Sequence, residues 1–258
     1  MPAPDVLELE RSAAAHWRGT DEERLGDWLL RAADGFTGRA NSALPLGDPG
    51  MPLDQALGYV TGWYGGRGLP AMIAVPLPLP VVDGPGGGLD AELSARGWAT
   101  RPGPAYVMVA DLPLAVAETR LPAGAEVAAT ADPDEPWLAR YHYRGADSQP
   151  PVMRDVLTSA EQQAFVSIRA ESGVLAIARL SIADGWAGIT AVEVDVSRRR
   201  AGLGLAITTA ACALAVERGV RRVFLQVEVG NTGARALYQR CGFRDSHWYR
   251  YRYRMAPA

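Results

Sequence analysis

The segment from Gly204 to Arg218 is apolar or small at almost every position and ends at Gly219, a residue suited to the left-handed step that closes a helix. A helix this apolar has no polar face to offer water, so it must lie against a sheet. The chain supplies sheet on both sides of it. Val174–Ile182 and Ala187–Val196 are β-rich runs joined by an Asp184-Gly185 turn, and Arg222–Val229 reads as a further strand. Thr232–Arg240 follows as a helix, and Trp248–Met255 as a last strand in which Tyr and Arg alternate. The fold class is α/β.

Upstream, punctuation divides the chain in two. The Pro- and Gly-marked stretch Asp111–Ala125 reads as the end of a strand followed by a linker. Before it, the pattern predicts a helix over Val6–Trp17 with Asp5 as N-cap, strands over Trp28–Ala33 and Ala40–Leu46, and a helix from Leu53 to about Tyr64. A strand from Ala71, a short helix ending at Arg96-Gly97-Trp98 and a strand over Ala105–Ala110 follow. After the linker come a strand over Glu126–Thr130, helices over Pro136–Arg144 and Pro151–Ser159, and a strand over Ala164–Ala170. Setting Glu92–Trp98 (ELSARGW) against Leu237–Phe243 (LYQRCGF) brings the two halves into the same order of elements. The expectation is an internal repeat, residues 1–115 and 126–258, tested below against the sheet.

Composition excludes several functions. With 258 residues, 48% of them apolar, the chain can bury a sizeable core. A net charge of −3 gives no positive field for nucleic acid or an anionic membrane, and neither partner is expected. Every basic residue is arginine, which removes lysine Schiff bases and P-loop chemistry. Cys212 and Cys241 are too few for a disulfide framework or a zinc site and read as small core residues; no metal is expected. No apolar run approaches a membrane span, and the opening residues lack a basic, then apolar, leader pattern, so a cytoplasmic protein is expected.

Chemistry concentrates in Val194-Asp-Val-Ser-Arg-Arg-Arg-Ala-Gly-Leu-Gly-Leu-Ala, a strand, a basic glycine-bearing loop and the start of a helix. Gly202 and Gly204 let the backbone approach a ligand, and the helix start adds unpaired N–H groups and a positive dipole end. Arg198, Arg199 and Arg200 add charge at the rim, which suits a phosphate or pyrophosphate. A dinucleotide fingerprint would need glycine at position 207, where the chain has Ile207.

The spacing Arg199-x-x-Gly202-x-Gly204 resembles the (Gln/Arg)-x-x-Gly-x-(Gly/Ala) motif of the GCN5-related N-acetyltransferases (GNATs). About 30 residues on, Asn231, Ala234, Leu237, Tyr238, Gly242 and Phe243 are similar to that superfamily's Asn-headed helix and its Tyr-x-x-x-Gly-Phe ending. The resemblance covers roughly residues 126–258. It implies a splayed mixed sheet holding acetyl-CoA as cosubstrate, with main-chain groups of Val194 and Val196 along the pantetheine. It further implies that the amides of Gly202, Leu203, Gly204, Leu205, Ala206 and Ile207, with Arg199 and Arg200, hold the pyrophosphate, and that Asn231 contacts the cofactor. Tyr238 occupies the place of the acid that protonates the leaving sulfur. The base is expected among Glu193, Asp195 and Glu228, with Glu193 preferred. The implied acceptor is the amine of a small molecule or a protein N-terminus. A non-catalytic acyl-CoA sensor and a transferase for another acyl group are the alternatives, and either a monomer or a homodimer fits.

If the first half is a second copy, its equivalent loop is Leu46-Gly-Asp-Pro-Gly-Met-Pro. Asp48 would repel a pyrophosphate, Pro49 and Pro52 lack amide donors, and Leu93 stands in the place of Tyr238, so this half is expected not to bind CoA. The layout resembles that of actinobacterial proteins with two acetyltransferase-like halves of which only the C-terminal one is competent. Arg31, Arg39 and Asn41 either reach into the acceptor pocket of the second half or pin strand edges.

Overall fold

The computed structural model describes residues 4–116, 119–142 and 150–255. Its first segment begins with α1 (Val6–His16), where Asp5 accepts from the Glu8 amide as expected of an N-cap. Strands β1 (Asp21–Leu25), β2 (Trp28–Ala32) and β3 (Leu44–Pro45) follow and pair antiparallel in that order. Then come α2 (Leu53–Gly65), β4 (Ala71–Leu77), α3 (Leu89–Ala95), β5 (Ala99–Thr100) and β6 (Ala105–Asp111).

The second segment carries β7 (Glu126–Thr130), α4 (Glu135–Arg140), α5 (Met153–Leu157), β8 (Gln162–Ala170), β9 (Gly173–Ala183) and β10 (Trp186–Val194). It ends with α6 (Leu203–Glu217), β11 (Arg222–Glu228), α7 (Thr232–Arg240) and β12 (Arg244–Arg254). The last residues of the helix expected over Pro136–Arg144 lie outside the described residues.

Two expectations need correction. Residues Ala40 to Leu46 do not form one strand: Arg39–Asn41 is a 3-10 turn and β3 is only Leu44–Pro45. The Asn41 side chain is the cause. Its Oδ1 accepts from Ala33 and Gly35 at 2.8 and 2.9 Å, and its Nδ2 donates to the Phe36 and Thr37 carbonyls at 2.7 and 2.9 Å. These bonds wrap the loop around the side chain and compete with a ladder. The second correction is an addition, β1, which the sequence reading left out because its Asp-Glu-Glu-Arg run, a largely solvated edge, has no apolar alternation.

The described residues place β4-β12-β6-β11-β10-β9-β8-β7 in one nine-stranded sheet, with β5 off β12. Strands of both segments interleave in it. β12, the end of the second segment, lies between β4 and β6 of the first, and β6 separates β12 from β11. The linker therefore divides the sequence without dividing the sheet. Among the described residues every pairing is antiparallel except β10 with β11 and a single parallel bridge, Ala43 with Ile73.

Core position follows from helix character. One face of the sheet carries α6, whose Leu203, Ala206, Ile207, Ala211, Cys212 and Ala215 pack on Leu180, Ile189 and Leu225. On the first segment, α2 sets Ala56, Leu57 and Val60 against Ile73, Val75 and Trp248. The opposite side of β8 and β9 is covered by Trp17, Trp137 and Leu157 around Phe165 and Ile177. Both cysteines are buried and unbridged, and burial pushes the Cys241 thiol up to about 11, so it is neutral near pH 7.

Candidate active site

The parallel pair β10–β11 is held only at Ala187↔Val223, Gly188↔Phe224 and Ile189↔Leu225. Beyond Ile189 the strands part. On the other edge of β10 a bulge interrupts the pairing with β9 between Thr190 and Glu193, where Ala191 takes φ +53°. The result is a gap whose walls are the C-terminal ends of β10 and β11.

At the mouth of this gap the chain leaves β10 at Val194, which still faces Ala176 of β9. Val196 does not extend the strand as expected. It opens a 3-10 turn, Val196–Arg198, because the Asp195 carboxylate caps that turn at the Ser197 amide (2.8 Å) and hydroxyl (2.6 Å). These bonds, followed by the Arg140 ion pair, hold the Asp195 carboxyl below the usual range, so Asp195 is engaged in building the turn.

Arg199, Arg200 and Gly202 then lead into α6. Arg200 has φ +68° and Gly202 φ +80°, and a side chain at Gly202 would meet only open space. No acidic residue occupies the first turn of α6. The amides of Gly202, Leu203, Gly204 and Leu205 precede the first intrahelical bond, which runs from Ala206 N–H to Gly202 O at 3.0 Å. Ala206 and Ile207, the last two residues of the expected cradle, are buried, and the Ala206 amide is already engaged in the helix ladder. Gly204 has its own constraint, since a Cβ there would stand 2.8 Å from Leu237 Cδ1. That glycine lets α6 and α7 approach.

A cleft of about 460 Å³ adjoins this loop, lined by Gly202, Leu205, Thr119, Arg120 and Arg240 among others. Arg120 and Arg240 escaped the sequence reading because linker and α7 meet here only through the fold. Asn231 caps α7, accepting from Ala234 N–H at 3.1 Å. Tyr238, one turn before the helix end, is buried with its ring 5.9 Å from Phe243, and burial raises its phenol well above the usual range. It is a protonated donor at neutral pH.

Two carboxylates stand on opposite walls of the gap. Glu193 on β10 accepts from the His142 amide at 2.8 Å and lies 3.5 Å from His142 Nδ1, which itself donates to the Arg140 carbonyl. Glu228 on β11 lines a second cleft, about 340 Å³, with Arg39, Gln226, Tyr249 and Tyr251. Arg39 Nη1 donates to Gln226 Oε1 at 2.8 Å, so this residue does reach from the first segment to the second. Arg31 and Asn41 stay local; Arg31 donates to the Ser42 carbonyl and hydroxyl. The arginines of β12 face away, with Arg252 forming a bidentate pair to buried Asp90 at 2.7 and 2.9 Å.

The first segment has a cavity of its own, about 590 Å³, between β3 and β4 and lined by Trp28, Pro45, Met51, Val75 and Leu89 among other uncharged residues. Its loop is closed on itself: Asp48 N–H bonds to Asp27 Oδ2 and the Asp48 carboxylate to Gly50 N–H.

A mixed sheet that splits between two parallel strands, with a glycine-led helix N-terminus at the split, is the architecture of the GNAT superfamily, and the chain is an acyltransferase of that class. It belongs to the family described as "Probable histone acetyltransferase Rv0428c C-terminal", whose model matches residues 3–252. Among curated relatives, "Probable histone acetyltransferase Rv0428c" of Mycobacterium tuberculosis is 29% identical over 95% of this chain and 73% of its own length. A GCN5-related N-acetyltransferase from Kribbella flavida has a similar fold, with a TM-score of 0.67 and 21% identity over 93% of this chain and 90% of that one. A tandem GNAT protein from the clavulanic acid biosynthesis pathway gives a TM-score of 0.62 and 17% identity, covering 75% of this chain and 66% of its own. Among the described residues no helix is long and apolar enough to cross a membrane, and no His, Cys, Asp and Glu cluster could hold a metal.

Proposed function

We propose that the protein transfers an acetyl group from acetyl-CoA to an amine, with the cofactor in the β10–β11 gap. The observation that carries this reading is the conjunction of the gap with unpaired amides at Gly202–Leu205 at its mouth. Four N–H donors, a helix dipole and the guanidinium groups of Arg199 and Arg200 suit a pyrophosphate. The parted edges near Val194 leave main chain for a pantetheine to pair with. Asn231, whose carbonyl oxygen already serves its own helix, borders the cofactor through its cap.

Bound there, acetyl-CoA supplies a thioester: the amine nitrogen forms the new C–N bond to the acetyl carbon, the C–S bond breaks, one amine proton leaves and the sulfur gains one. Tyr238 holds the proton for the sulfur, its phenol being protonated near neutrality. Glu193 takes the amine proton, directly or through water, and its bond to the His142 amide fixes its orientation. Glu228 faces the acceptor from the other wall.

The chain is read as two halves that exchange their last strands. In the first, β3, α2, β4, α3 and β6 follow the order of β10, α6, β11, α7 and β12 in the second, and the Ala43–Ile73 bridge matches the β10–β11 pair. Trp98 N–H to Leu93 O and Phe243 N–H to Tyr238 O are equivalent helix-closing bonds, both 3.0 Å. The first half has leucine in place of the phenol and an uncharged cavity in place of the arginine-rimmed loop, so it is read as a support that binds no CoA.

Calorimetric titration with acetyl-CoA tests this. One site per chain is expected, lost on Gly202→Val, which puts a β-branched residue at φ +80° and costs roughly 1–2 kcal/mol of local strain. Two sites would refute the account of the first half, and no binding would refute the transferase mechanism.

A further inference from the structure

The second cleft carries a charge pattern that the transfer reaction alone does not require. Arg39 is half-buried on its wall, its fork bonded to Gln226 Oε1 and its plane 4.7 Å from the Trp17 ring centroid. Among the described residues no carboxylate pairs with it. The inner end of the same cleft adds Arg31, which is buried and bonds only neutral oxygens of Ser42. Arg179 lies on the other approach to Trp17, 5.2 Å from the ring centroid; it is fully buried, and its Nη2 has no hydrogen-bond partner. Its other nitrogens donate to the carbonyls of Leu157 and His16 and to the Thr190 hydroxyl. Burial, then the charge on Arg39, lowers Arg179 to about 9. The acidic residue at the inner end, Glu10, is bound to His247 Nε2 at 2.7 Å.

Cations held in a protein interior are normally matched by an anion, because an unmatched charge there is destabilising. Two guanidinium groups, Arg39 and Arg179, stack on Trp17, and the one that reaches the cleft wall, Arg39, bonds a neutral amide oxygen and, among the described residues, no acid. Glu228, two residues along β11 from Gln226 and about 7 Å away by strand geometry, lines the same cleft. The inner end of the cleft is thus positive. Its volume of about 340 Å³ is at the small end for ligand pockets and suits a compact molecule better than a polypeptide segment.

Resting on the acetyl-transfer reading, we infer that the acceptor is a small amino acid-like amine, its amine end toward the β10–β11 gap and its carboxylate bound by the Arg39 fork. Arginine meets a carboxylate through two parallel N–H bonds, so the wall between Gln226 and Tyr251 selects an acid over its amide. Arg31 and Arg179 stay behind this contact and supply field without touching the acceptor.

The test uses the full chain saturated with CoA and titrated calorimetrically with the free amino acids and, in parallel, with their primary amides; acetyl transfer from acetyl-CoA is measured with the same compounds. At least one free amino acid is expected to bind tenfold or more tightly than its amide. Arg39→Gln should abolish that ratio by raising KM for the acid at nearly constant kcat, while the amide binds the variant as it binds the parent. That last reading separates a lost contact from a disturbed fold. Amides that bind and react as well as the acids would overturn the inference, as would a ratio that survives Arg39→Gln. Failure of every free amino acid to bind a protein that does take up acetyl-CoA would overturn it alone. Failure to bind acetyl-CoA would overturn it together with the reading it rests on.

Discussion

Acid should loosen this protein through one histidine before its carboxylates titrate. His16, at the end of α1, is buried over Gly188 of β10, where a Cβ would stand 2.7 Å from His16 Nδ1. Its ring meets Phe224 of β11 edge-on at 4.9 Å, and Nδ1 shares a hydrogen bond with the Ser181 hydroxyl at 2.9 Å. Burial first, then the nearby Arg179 charge, lowers its pKa from 6.5 to about 4. The folded pKa lies below the unfolded one, so the unfolded chain binds the proton more tightly. The neutral ring's contribution is complete above pH 6.5 and disappears as pH falls through about 4. At about 1.4 kcal/mol per pH unit the full effect is roughly 3 kcal/mol, of which about 2.5 kcal/mol is lost by about pH 4.5. Urea unfolding of the parent and of His16→Gln, from about pH 7.5 to about pH 4.5, isolates this contribution, since every other titrating group is common to both proteins. The parent should lose roughly 2.5 kcal/mol more than the variant over that range. Parallel loss in the two proteins would refute the assignment of a buried neutral imidazole.

Asp90→Asn removes the bidentate partner of Arg252 and the neighbour of Arg250, leaving two buried guanidinium groups unmatched. It should destabilise by about 3–5 kcal/mol, read as a lower urea midpoint at unchanged m. Tyr238→Phe should lower kcat by roughly 10²-fold or more while acetyl-CoA affinity in the calorimeter holds; unchanged kcat would remove the phenol as the acid.

The half of the site made by consecutive residues was legible in the sequence. Gly202, Arg199 and the apolar run of α6 fix a strand, loop and helix through local conformation, and α7 occupies Thr232–Arg240 as the pattern predicts. Where α6 begins, at Leu203, is set by the first Ala206–Gly202 bond rather than by residue type, so residue types alone leave open which amides stay unpaired. Nothing local marks the cleft around Arg39 and Gln226. Arg39 and Gln226 are 187 positions apart, and the side chains they share the cleft with come from β12. Tyr and Arg alternation in β12 predicted two faces correctly, but which face meets Asp90 and which meets the cleft depends on the strand's insertion beside β4. Long-range pairing is what periodicity leaves open.

The insertion of β6 between β11 and β12 has a consequence for any attempt to pare the protein down. One wall of the β10–β11 gap is β11, and the ladder on its far side, Arg222↔Asp111 to Glu228↔Ala105, is contributed entirely by β6. A fragment limited to residues 126–258 would keep every residue of the glycine loop, yet it would expose that ladder as a bare edge and leave β12 without either neighbour. Such an edge invites intermolecular pairing. The two segments are therefore interlocked like clasped fingers, and the first is the backstop against which the β11 wall of the gap is held.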